Sequence, residues 1–248
     1  MSSHLKDCPQ LTNIVLETIN LDLKSKIGNP GQDTITFTVL DNPHPDNENA
    51  FSLKIKDNSE EIRLKNSVLL NRISRISDDN PILLLINSTG GSLSFSRDLI
   101  RILQRKQSVT AVNFLQTSSA AFALFMSATK GQRILLNKNV VAATHRTSFH
   151  TQDSPPKAKF QEDFPEDSKA HKTLKELNDW ALQFYKSEST TRIDDKCVHQ
   201  CRSNKSKRHD AMTLLKLGWA DAIANDNGTI IVREHDDLTR QALTNLAL

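Results

Sequence analysis

Between Pro81 and Ser88 the chain reads PILLLINS, an apolar run without the alternation that a strand with one wet face requires, and it stops abruptly in STGGS. A strand of this kind is covered on both faces, as parallel strands packed between helices are. Helical spacing resumes at once, with Phe95, Leu99, Ile102 and Leu103 recurring between Ser92 and Arg105. SVTAVNFL then reads as the next strand, and the nearly unbroken apolar segment after Ser118 and Ser119 as the next helix. RILL and VVAAT, split by NKN, are two further short strands, the second ending at His145. The order strand, helix, strand, helix predicts an α/β fold with a mostly parallel sheet, helices on its faces and right-handed crossovers.

The flanking regions supply further elements. TITFTVL from Thr34 and AFSLKI from Ala50 are strand-like, and Asn58 and Glu61 stand in capping-box spacing at the head of a helix whose Ile62, Leu69, Ile73 and Ile76 share a face. Beyond His145 the loop TQDSPPKAKF carries Pro155 and Pro156, which do not fit an ordinary central strand. Ala170, Leu174, Leu177, Ala181 and Phe184 then recur at steps of three and four, which predicts a long amphipathic helix over about 165–187. Asp210 caps AMTLLKL, Gly218 stops it, and TIIV is the last strand. The 248 residues suit one large domain with elaborated ends: a divergent strand-and-loop region at 1–57, a core at 58–235 and a tail at 236–248.

Composition narrows the function classes. A net charge of +3 gives no general attraction to nucleic acid or to an anionic membrane, and no apolar run is long enough to span a bilayer. The opening MSSHLKDCPQ lacks the basic and apolar regions of a secretory signal, and three cysteines are too few for a disulfide framework, so the expected location is the cytoplasm. CVHQC, from Cys197 to Cys201, falls short of a zinc site because no second ligand cluster follows it; thiols four apart on one helix face account for the spacing. Neither a P-loop lysine motif nor HExxH occurs, so no cofactor or metal is expected in this chain.

Two junctions remain to be explained. The chain has only seven glycines, yet Gly90 and Gly91 lie side by side at the mouth of the buried strand. Paired glycines there permit positive φ angles and let a ligand approach backbone N–H groups. A tight turn without a ligand is the simpler account. The second junction, FLQTSS, ends the neighbouring strand, and parallel strands deliver their carboxyl ends to one edge, where α/β proteins build their sites. Ser118 or Ser119 either caps the helix that follows or acts as a nucleophile at its N-terminus. His145 ends a later strand of the same set and is a candidate base. Serine, histidine and converging backbone donors make an acyl-transfer constellation.

These residues resemble the Clp protease proteolytic subunit family of serine peptidases. LLINSTGGS is similar to that family's LLINSPGGS, with Thr89 in place of proline; QTSSAAFALFMSATKGQR is similar to QAASMGAFLLTAGAKGKR without a gap; and GWADAI resembles GLVDSI. The similarity runs from about Pro81 to Ile223. It implies a ClpP/crotonase-like spiral of ββα units, with Ser119 as nucleophile, His145 as general base and then acid, and the backbone N–H groups of Gly91 and Ala120 as oxyanion donors. It also implies peptide or unfolded-protein substrates, a homo-oligomeric ring, an AAA+ unfoldase or a ClpP paralogue as partner, and ATP only through that unfoldase. His145 lies one residue further from Ser119 than in the family, so the extra residue falls in the LLNKN turn. His150 is a rival base.

One family feature is missing. Counting back from Gly218, the position where the family keeps an acid is Ser206, and the nearby Asp210, Asp194 and Asp195 stand where helices start. Three readings follow: a Clp-type serine endopeptidase; a noncatalytic ring or scaffold component of the same fold; and a crotonase-like acyl-CoA hydratase or hydrolase, which uses paired backbone donors without a serine.

Overall fold

A computed structural model describes residues 34–39, 50–53, 60–136, 139–150, 157–202, 206–224 and 230–232. The apolar run becomes β3 (Ile82–Ser88), whose side chains are buried throughout except for a half-buried Asn87. The earlier strand-like segments are β1 (Thr34–Val39) and β2 (Ala50–Leu53), and α1 spans Glu60–Arg75. The proposed cap residue Asn58 lies outside the described residues.

After β3 come α2 (Leu93–Leu103), β4 (Val109–Ser118), α3 (Ala120–Met126), β5 (Arg133–Leu135) and β6 (Val141–Thr144). A small hairpin pairs β7 (Phe149–His150) with β8 (Ala158–Lys159); Pro155 and Pro156, between these strands, lie outside the described residues. The long helix α4 (Lys169–Glu188), α5 (Asp195–Cys201), β9 (Lys207–His209), α6 (Ala211–Lys216), β10 (Ala222–Ala224) and β11 (Ile230–Val232) complete the order.

The structure is a mixed α/β fold. The strands β3, β4, β5, β6 and β10 run parallel, and β1, β2, β9 and β11 join them antiparallel at the margins. The segment placed before the core by its sequence thus contributes strands to the same sheet: β1 pairs with β3 from Thr34↔Asn87 to Val39↔Ile82. On the other side of β3, the strand β4 serves two partners in succession. Its first half pairs with β5, ending at Asn113↔Leu135, and its second half with β6, from Gln116↔Val141. The register with β3 shifts over the same interval, between Ile86↔Asn113 and Ser88↔Thr117, which curls the sheet.

Helix α3 is buried along its whole length, as its unbroken apolar sequence requires. Its Phe122 ring lies 5.7 Å from both Tyr185 and Trp219, which ties α4 and the segment after α6 to the core. Local signals act as expected at α6, where Asp210 accepts the Thr213 N–H at 2.7 Å and Gly218 takes φ 63° just past the end. The long helix starts later than its sequence pattern suggests. Ser168 accepts the His171 N–H, so the regular turns begin at Lys169 rather than near residue 165, and Gln161–Asp163 forms a separate 3₁₀ turn.

The two segments KGQR and WADAI meet in the interior. Arg133 and Asp221, both fully buried, form a two-pronged pair with Nε–Oδ2 at 2.8 Å and an Nη–Oδ1 bond at 2.9 Å. The backbone N–H groups of Gly131 and Arg133 also donate to Asp221 Oδ2, and Arg133 donates to the Glu188 carbonyl at 2.6 Å. One ion pair therefore joins the starts of β5 and β10 to the end of α4.

Candidate active site

The strands β3, β4 and β6 end at one edge of the sheet, and the two junctions picked out in the sequence touch there. A Cβ added to Gly90, which has φ 98°, would lie 2.5 Å from the Ser118 carbonyl oxygen and 2.8 Å from Ser119 Cβ. No larger residue fits without moving the serine, and this close approach is the requirement that the glycine pair meets. Ser88 Oγ holds the turn from the strand side by accepting the Gly90 N–H at 3.1 Å.

Ser119 stands between β4 and α3 with φ 54° and ψ −124°, and it is the one non-glycine residue with positive φ among those described. Such a conformation costs about 1–3 kcal/mol in a residue with a side chain. The capping account of the serine fails on geometry: the Ser119 side chain bonds to no first-turn N–H, although the residue occupies the cap position. Its carbonyl accepts the N–H groups of Phe122 and Ala123, and its own N–H donates to the Ala143 carbonyl at 2.8 Å. The hydroxyl is thus left over, on a backbone pinned to β6 two residues before His145.

A cavity of about 780 Å³ opens at this edge. Gly90, Gly91, Ser119, Ala120 and His145 line one side; Leu177, Ala181 and Tyr185 of α4 line another, together with Arg202 just past α5. The N–H groups of Gly91 and Ala120 make no hydrogen bond to described residues. His145 and Ser119 share the cavity without being hydrogen bonded to each other. The rival His150 also reaches the cavity, but from the exposed β7 hairpin strand.

Among the described residues, a backbone carbonyl and not an acid orients the imidazole of His145. Its Nδ1 lies 2.7 Å from the Arg146 carbonyl oxygen, so Nδ1 carries the proton and Nε2 is the free acceptor. Burial holds its pKa below the ordinary value; the Arg146 carbonyl works against that shift, and the charges of Arg202 and His150 add to it. Among the described residues, no Asp or Glu lines the cavity. Across from β6, the antiparallel register Ala142↔His209, Ala143↔Arg208, Thr144↔Lys207 brings Ser206 opposite His145 at the next step, and Ser206 is exposed. The candidate acids are engaged elsewhere: Asp210 and Asp194 cap α6 and α5, and Asp195 pairs with Lys186 at 2.6 Å.

Comparison with known families decides the relationship. The Clp protease family model matches residues 53–183, more than half of the chain. The chain belongs to the Clp protease family. Among solved structures, a ClpP1 point mutant from Listeria monocytogenes matches with a TM-score of 0.52 at 17% identity, covering 68% of this chain and 88% of that one. That likeness supports the ClpP-like fold, a curled and mostly parallel sheet covered by helices. No curated protein sequence matches the chain significantly. The family match includes Gly91, Ser119 and His145 and ends before Arg202 and Ser206.

Tyr185 and Arg202 are among the contributors to the cavity that sequence reasoning missed. Tyr185 continues the stripe of Leu177 and Ala181 along α4, and extending that spacing by one turn would have found it. Arg202 carried no such signal, since nothing in CVHQCR indicates a buried guanidinium. Among the described residues no cluster of His, Cys, Asp or Glu is placed to hold a metal ion, and no helix is long and apolar enough to cross a membrane.

Proposed function

We propose that this Clp protease family member is a serine endopeptidase subunit that cleaves peptide bonds through an acyl-enzyme on Ser119. The observation that carries the reading is the strained Ser119 backbone, which presents a hydroxyl unused in capping to a cavity shared with His145. A strained serine at a strand-to-helix turn is how other folds expose a nucleophile. His145 Nε2 takes the serine proton as the hydroxyl oxygen attacks the peptide carbonyl carbon, and returns it to the leaving amine when the C–N bond breaks. The N–H groups of Gly91 and Ala120 hold the oxyanion. Water then repeats the sequence to release the acyl group. A serine–imidazole bond that tightens only with substrate bound is common in such sites.

The family pattern supports a homo-oligomeric ring in the cytoplasm that takes peptides or unfolded proteins, with an AAA+ unfoldase or a ClpP paralogue as partner and ATP used only by that unfoldase. That no acid lines the cavity among the described residues favours the second reading, a noncatalytic ring component. A crotonase-like chemistry needs no serine hydroxyl and offers no account of the Ser119 backbone. Labelling with a fluorophosphonate, followed by peptide mapping, separates these readings. We expect modification of Ser119 in the assembled protein; none after prolonged exposure would favour the noncatalytic reading.

The pH profile of that labelling is a second expected result. His145 must be neutral to act as a base, and its pKa lies below the ordinary value of about 6.5. The rate will therefore rise with pH through a midpoint below about pH 6.5, whereas a midpoint above that value contradicts the geometry. The sign for folding is the same. The unfolded chain binds the extra proton more readily, so this residue's contribution to stability is complete above about pH 6.5 and falls as the pH drops through the folded-state value.

A further inference from the structure

We propose that Arg202 makes the cavity a carboxylate receptor, so that the peptides it accepts carry an acid, either an Asp or Glu side chain or a free C-terminus, beside the bond presented to Ser119. That the ligand is a peptide rests on the peptidase reading; that it is an anion rests on separate observations.

Arg202 is only 7% exposed, yet it lines the cavity and has no carboxylate partner among the described residues. Its guanidinium donates to the Asn178 backbone carbonyl at 3.3 Å and to Asn178 Oδ1 at 3.4 Å, both long and both to neutral oxygens, and its Nε has no acceptor. Asn178 Oδ1 also accepts the Thr147 N–H at 2.9 Å, which fixes the amide so that Nδ2 is a second buried donor with no acceptor. The guanidinium lies 5.5 Å from the centre of the Tyr185 ring. Tyr185 supplies no counter-charge, because burial pushes its hydroxyl up to about 12 and keeps it neutral. A buried cation is costly unless it is paired. Here, among the described residues, no acid lines the cavity to pair with the cation, and Arg202 itself faces the cavity.

The placement ties this cation to the candidate base. Thr144 Oγ1 donates to the Cys201 carbonyl and lies 2.8 Å from His209 Nε2, so the residues just before His145 and just before Arg202 are joined. A bound carboxylate at Arg202 also offsets the positive charge that opposes protonation of His145. The ligand thereby supplies part of what the missing acid would.

The test is calorimetry on full-length protein carrying Ser119→Ala, with four peptide probes of one sequence that pair Glu or Gln at an internal position with a carboxylate or a carboxamide terminus. The acidic form should bind about 10-fold to 100-fold tighter than its neutral counterpart, the range for a charge-assisted bond. A preference at the internal position identifies a side-chain ligand, and one at the terminus a C-terminal ligand. Arg202→Met and Arg202→Gln, the second of which keeps a donor toward Asn178, should reduce the preference to within about twofold. Equal binding of all four probes, no binding of any, or a preference that survives in either folded Arg202 variant overturns the proposal. Fluorophosphonate labelling of Ser119 needs no peptide. Labelled Ser119 with indifferent peptide binding therefore removes the receptor alone, and a clear acid preference with unlabelled Ser119 removes the peptidase reading alone.

Discussion

Ser206→Asp will speed fluorophosphonate modification of Ser119 by about 10-fold to 100-fold and move the pH profile upward. The β6–β9 register ends at Thr144↔Lys207, and its next step would set residue 206 opposite His145, so the new carboxylate is expected beside the imidazole. In a complete triad the acid fixes the tautomer and stabilises the imidazolium, and its loss costs about 10⁴-fold. Here the Arg146 carbonyl at 2.7 Å from Nδ1 already selects the tautomer. What is missing is negative charge, and restoring it recovers part of that factor. The carboxylate also raises the His145 pKa, so the rate levels off at a higher pH than in the parent protein. Equal rates in the two proteins would mean that residue 206 does not reach the imidazole, or that Ser119 does not use it.

The second large effect is on stability. Asp221→Ala will destabilise the fold by about 3–5 kcal/mol, because it leaves the fully buried Arg133 without its charge partner. At about 2–4 °C per kcal/mol for a chain of this size, the melting temperature should fall by roughly 6–20 °C at fixed protomer concentration. Asp221→Ala also removes the acceptor of two backbone N–H groups, those of Gly131 and Arg133, so the loss belongs at the upper end of the range. A double substitution, Arg133→Met with Asp221→Leu, should cost clearly less than the sum of the two single losses. Strict additivity would show that the pair is not coupled.

Much of this architecture could be read before any coordinates. The missing alternation in PILLLINS announced a strand covered on both faces, Asp210 and Gly218 marked the two ends of α6, and the order of elements placed the glycine and serine junctions on one edge. These are local or periodic signals, and they survive in one dimension. The start of α4 was misplaced because the apolar stripe has no sharp beginning, and the N-terminus is fixed instead by the Ser168 hydroxyl capturing the His171 N–H. What orients His145 was not legible at all, since a backbone carbonyl has no residue type. Arg202 was hidden for a related reason. A guanidinium becomes informative only when its surroundings contain no acid, and that is a property of the cavity rather than of the sequence around it.

The double pairing of β4 has a consequence for where the chain can change length. Its register is fixed against β5 at Asn113↔Leu135 and against β6 at Gln116↔Val141, and its last residue precedes Ser119. One residue inserted within β4 would advance everything after it by about 3.3 Å and turn alternate side chains to the opposite face. The connection from β5 to β6 starts and ends beside β4, since Leu135 closes one pairing and Val141 opens the next. Extra length is therefore better tolerated between β5 and β6 than within β4, where it would carry Ser119 away from the Gly90 turn that it touches.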